Sequence, residues 1–206
     1  MKYLFYCLSF IIFLSTISTG SAQIPVVHLQ PAPTVQMDTL KQPLTASATA
    51  YEIGKDEKTG HFVYKGTFTL QNMVTEPTFA WLDSGMFAYK PDTLTLPYLR
   101  STIRNYNILI FIGTWCEDSQ NLLPKLYKLL SSIDISYADI VLIGMDRAKT
   151  TNTAAGLELV NRYNVSLLPT ILFTDNEGAE VGRITETVSK SIEWDLIDIF
   201  SKANNK

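Results

Sequence analysis

Thiols are scarce in this chain, with only Cys7 and Cys116 among its 206 residues. Histidine is as sparse, and neither His28 nor His61 has further ligands at a spacing that zinc uses. No metal centre or resident cofactor is therefore expected. Positive charge is limited too: 17 Lys and Arg face 20 Asp and Glu, for a net charge of -3. No long basic run follows a phosphate backbone, which argues against nucleic acid as a partner. Beyond the N-terminal segment, no apolar stretch reaches the ~20 residues that a membrane span takes. What the chain does have is apolar content, 46% of its residues, enough at this length for one well-packed domain with peripheral segments.

The first stretch reads as an address. Lys2 precedes an almost continuously apolar run from Tyr3 to Ile17, and the small residues Gly20 and Ala22 suit cleavage before Gln23. Residues 1–22 are thus expected to be a signal peptide, leaving no transmembrane segment after cleavage. Export to the periplasm or envelope is the first expectation, with secretion also open. Cys7 leaves with the signal, so Cys116 becomes the sole thiol and no intramolecular disulfide can form, although exported proteins meet an oxidising compartment. Such a thiol is either buried and inert or exposed and used between molecules. Residues 23–50 carry Pro25, Pro31, Pro33 and Pro43 among polar residues, the composition of a tether.

From residue 51 the pattern becomes regular. Apolar residues on either side of Asp56-Glu57-Lys58-Thr59-Gly60 predict a hairpin over 51–65. From Thr67 helical spacing takes over, with Phe79, Leu82, Met86 and Phe87 on one expected face, and Pro91 opens a second helical segment through Ile103. The aromatic residues Phe79, Trp81, Phe87, Tyr89 and Tyr98 are read as core packing in preference to a peptide groove. Strand and helix then alternate: strands at 107–112 and 140–143, helices at 117–131 and 153–163. A strand pair at 170–173 and 180–184 follows, and a last helix carries Ile192, Leu196, Ile199 and Phe200. The order predicts an α/β sandwich with a mixed sheet. Asp146, just after a central strand, is assigned to turn or cap chemistry.

Over residues 100–203 the sequence resembles the thioredoxin family. The resemblance is carried by an apolar strand running into Gly113-Thr114-Trp115-Cys116, a helix with Pro124 eight residues after the cysteine, and the later run Tyr163-Asn164-Val165-Ser166-Leu167-Leu168-Pro169-Thr170 before a hairpin. It implies a thioredoxin-like sandwich, here with an N-terminal extension of hairpin and helices over 51–99. It also implies a reactive Cys116, a cis Pro169 beside it in space, and a substrate edge formed by Trp115, Leu168 and Pro169. The expected partners are protein or peptide thiols and disulfides.

Two departures from the family pattern restrict the chemistry. Ser119 stands where the family has its second cysteine, making the motif Cys-x-x-Ser; serine can hydrogen-bond but cannot resolve a mixed disulfide. Ile110, six residues before Cys116, replaces a buried acid that assists proton transfer. The resemblance therefore implies an exported monothiol protein that exchanges or isomerises disulfides through Cys116, assisted by Ser119 and resolved by an external thiol. The alternative is a redox-inactive peptide- or protein-binding module. Glutathione use fits less well, because Glu117 and Asp118 repel an anionic thiol, and the proline- and threonine-bearing thiol peroxidase motif is missing before Cys116.

Overall fold

The computed structural model describes residues 50–136 and 140–204. The expected signal peptide, Cys7, His28 and the tether up to residue 49 lie outside the described residues. The first strands, β1 (Ala50–Lys55) and β2 (Phe62–Phe68), form the anticipated antiparallel hairpin. Its turn is organised by Asp56, whose carboxylate accepts from both the amide and the hydroxyl of Thr59, and Gly60 takes a positive φ of 70° that costs glycine little. β2 runs past the expected end of the hairpin, since Thr67 and Phe68 pair with Ile143 and Leu142. That pairing bridges distant segments, so local periodicity gave no sign of it.

Helices follow. Thr69 closes a capping box with Asn72 at the start of α1 (Leu70–Val74). A 3-10 turn, Pro77–Phe79, leads into α2 (Ala80–Ala88), and α3 (Leu96–Thr102) ends in a second 3-10 turn, Ile103–Asn105. Residues 91–95 are not helical as expected: Asp92 offers its carbonyl to the amide and hydroxyl of Thr95, and the helix starts only at Leu96. The aromatic core reading also needs correction. Phe79 is buried, but Phe87 is 90% exposed and Tyr98 lies open as well. Met86 packs against the core, and its neighbour, about 100° further round the helix, points elsewhere.

The remaining elements are β3 (Asn107–Ile112), α4 (Glu117–Ser132), β4 (Ile140–Gly144), α5 (Ala154–Arg162), β5 (Thr170–Thr174), β6 (Glu180–Thr185) and α6 (Ile192–Asn204). The sheet order is β1-β2-β4-β3-β5-β6, with β3 and β4 parallel and the other neighbours antiparallel. Side-chain alternation along central β3 feeds two separate cores. Ile108, Ile110 and Ile112 join Leu82 of α2, Leu123 and Leu126 of α4 and Leu196 and Phe200 of α6. Leu109 and Phe111 meet Leu159 and Val160 of α5 on the opposite face. Burying such side chains on both faces stabilises the central strand by roughly 1.5–3 kcal/mol each, which is why a continuous apolar run belongs there. Among the described residues, no helix is long and apolar enough to cross a membrane.

Candidate functional site

Where β3 leaves the sheet, the chain turns sharply into α4. The Cys116 amide donates to the Gly113 carbonyl at 2.9 Å, and Gly113 lies under the Trp115 indole, where a Cβ would come within 2.8 Å of the ring. Glycine is required by that close approach. Cys116 is the N-cap of α4 in extended conformation, and its side chain does not cap the helix. The thiol is partly exposed and directed across to the next loop, with Sγ 3.6 Å from the Leu168 carbonyl oxygen, to which it donates. The Leu168–Pro169 peptide bond is cis. Two segments 52 residues apart in the chain thus form one surface, with the thiol beside the backbone of Leu168.

Ser119, one turn into α4, is fully buried, and its Oγ accepts from the Gly113 amide at 3.3 Å. It braces the Cys116 turn from beneath. Trp115 is buried too. Its Nε1 donates to the Met145 carbonyl at 2.9 Å, and its ring is covered by the Arg147 guanidinium, 4.2 Å from the centroid. Leu168 has its side chain in the second core, against which Cys116 also packs, and its carbonyl beside the thiol. Ile110 is buried in the first core and supplies no proton acceptor.

Sequence reasoning missed three residues that hold this site. Asp56 of the hairpin turn, 5% exposed, grips Arg147 with two hydrogen bonds, one of 2.8 Å. Arg147 beside Asp56 holds that carboxyl well below the usual carboxylate range, against the opposing effect of burial. The same contact makes Arg147 hold its proton more firmly, and the negative charge of a Cys116 thiolate adds to the effect. Thr114 is the third: its hydroxyl donates to the Phe62 carbonyl at 2.7 Å and accepts from the Tyr64 amide at 3.1 Å, fastening β2 to the cysteine turn. No local pattern marks partners 91 and 52 residues apart. Asp146 does bind its own turn, accepting from the amide and hydroxyl of Thr150, and also meets Lys65 at 2.7 Å. Among the described residues, no group of three or more His, Cys, Asp or Glu is placed to hold a metal ion.

A parallel β3-α4-β4 unit joined through α5 to an antiparallel β5-β6 pair and a closing helix, with the cysteine at the β3-α4 junction, decides the fold class. The fold is thioredoxin-like. A protein of unknown function from Pseudomonas aeruginosa is similar over 67% of this chain and 82% of its own, at 16% identity and a TM-score of 0.44. Fasciola hepatica thioredoxin is 19% identical over 52% of this chain and 88% of its own, with a TM-score of 0.33. Mitochondrial thioredoxin 3 of Saccharomyces cerevisiae is 18% identical over 52% and 89%, with a TM-score of 0.31. No family model matches the chain, and no curated protein does. The thioredoxin-like core is flanked here by β1, β2 and the helices α1 to α3, which widen the sheet beyond β4 and cover one face.

Proposed function

We propose that this protein is an exported monothiol thiol-disulfide exchange protein, acting in the periplasm or envelope through Cys116. The observation that carries the reading is the partly exposed Sγ at the N-terminus of α4, 3.6 Å from the Leu168 carbonyl. The thiolate is the nucleophile in exchange. The Cys116 thiolate attacks one sulfur of a partner disulfide. A new S–S bond forms, the partner's own S–S bond breaks, and the departing sulfur leaves as a thiolate that takes a proton. Electrons are conserved in this step. Release then requires a second thiolate, from an external thiol or from the partner itself, because Ser119 has no sulfur to offer. The backbone at Leu168 supports the reading by giving an extended chain an edge on which to align before attack.

The test is to incubate the protein with a peptide disulfide and follow adducts by non-reducing mass spectrometry. A mixed disulfide on Cys116 is expected, absent in Cys116→Ser and released by added thiol. Ser119→Cys, which puts a second sulfur three residues along the helix, is expected to close an internal disulfide and to release the partner without external thiol. A Cys116 that alkylates only after unfolding and forms no adduct would overturn exchange and leave the peptide-binding module.

A further inference from the structure

Beside the cysteine turn, on the side built by the N-terminal extension, lies a cavity of about 320 Å³. Its apolar walls are Phe62 at the start of β2, Phe79 at the end of the first 3-10 turn and Trp81 at the start of α2, while His61, Thr114 and Gln120 stand at its polar edge. We infer that this cavity is a subsite for one aromatic or large aliphatic side chain of the polypeptide whose disulfide Cys116 attacks. The inference rests on the exchange reading above and adds the class of substrate.

Continuity with the reactive turn carries it. Thr114 and Gln120 bracket Cys116 in the chain and are joined to one another, the Gln120 side-chain amide donating to the Thr114 carbonyl at 2.9 Å. The Gln120 backbone amide donates to the Cys116 carbonyl at 3.0 Å. A side chain seated in the cavity therefore lies against the same turn that presents the sulfur. The walls suit an aromatic guest: Phe79 and Trp81 meet edge to face at 5.9 Å, and Trp81 is only partly buried. The volume is near the lower limit of small-ligand pockets, about 300 Å³, which suits a single side chain. The polar edge suits the backbone of an extended peptide, with the Gln120 amide nitrogen 3.5 Å from His61 Nδ1. The walls come from segments outside the thioredoxin-like core, so the selectivity they confer is a property of the extension.

The experiment uses two peptide disulfides that differ only in a Phe or an Ala next to the bridged cysteine, together with the small disulfide 5,5'-dithiobis(2-nitrobenzoate). Each peptide rate is divided by the rate of the same protein with the small reagent, which separates seating from thiol reactivity. The Phe peptide is expected to react about tenfold faster than the Ala peptide. Thr78→Trp, which fills the cavity from an exposed position, and Trp81→Ala, which removes a wall, are both expected to erase the ratio. Binding is read independently in Cys116→Ser by the shift of the Trp81 indole N–H resonance on titration with the reduced Phe peptide. Equal peptide rates in the parent, without that shift, would overturn the subsite even where exchange proceeds. A Trp81 shift in a protein whose thiol is inert to every disulfide would uphold the subsite and overturn exchange.

Discussion

At the scale of single residues, a run of side-chain contacts links the hairpin turn to the residue before the thiol. Asp56 fixes Arg147, Arg147 lies over Trp115, and Trp115, next to Cys116 in the chain, is anchored to the Met145 carbonyl. Replacing the carboxylate with an amide removes the negative charge and one of the two oxygens that hold the guanidinium, while the remaining oxygen still offers an acceptor to the Thr59 amide and hydroxyl. Asp56→Asn is therefore expected to lower the denaturant midpoint at neutral pH. The pH dependence has a definite sign. The folded Asp56 carboxyl is held well below its ordinary value of 3.8, so its contribution is complete above that value and is lost as pH falls through the lower, folded one. The stability gap between parent and Asp56→Asn should accordingly narrow as pH drops below 3.8. Chemical denaturation at neutral pH and at about pH 3 measures it. A gap that stays constant across this range would show that Asp56 acts through packing and not through its charge.

At the scale of elements, short polar side chains join segments that the sheet alone leaves separate. Thr114 ties β2 to the cysteine turn, and Thr153 begins α5 by accepting the Gly156 amide at 3.1 Å while its hydroxyl also meets that of Thr67 at 3.3 Å. N-cap threonines stabilise helices by satisfying an amide that has no intrahelical partner. Thr153→Ala is expected to cost about 1 kcal/mol in equilibrium unfolding and to speed exchange of the Gly156 amide, and Thr153→Ser to restore most of both. Slowed or unchanged exchange at Gly156 in the alanine variant would rule out the cap. Glycine does comparable work at Gly144 in β4, where an added Cβ would lie 2.5 Å from the Phe68 ring and closer still to the Tyr64 carbonyl. The close approach of the β2 residues Tyr64 and Phe68 requires that position to stay bare.

At the scale of the whole molecule, two phenylalanines show which aromatic side chains hold the fold together. Phe68 is completely buried between Tyr51 and Tyr64, whereas Phe87 is 90% exposed. Phe68→Ala is expected to destabilise by about 3–5 kcal/mol, and Phe87→Ala to stay within about 0.5 kcal/mol, in chemical denaturation of the purified protein. Comparable losses from both would mean that Phe87 is covered in solution. By itself, the sequence determined the order of strands and helices from residue 107 onward, because continuous apolar runs and helical spacing are local consequences of burial on two faces or one. It also marked Cys116 at a helix start and Ser119 one turn later, since both follow from spacing along one helix. Only the tertiary structure decided that β2 pairs with β4, that Phe87 faces away from the core, and that Asp56, Arg147 and Thr114 surround the reactive turn. Each of these depends on contacts between segments far apart in the chain, and on which of two neighbouring apolar residues wins a limited core face. Neither leaves a periodic trace, because side-chain pattern records how an element is buried and not which distant partner buries it.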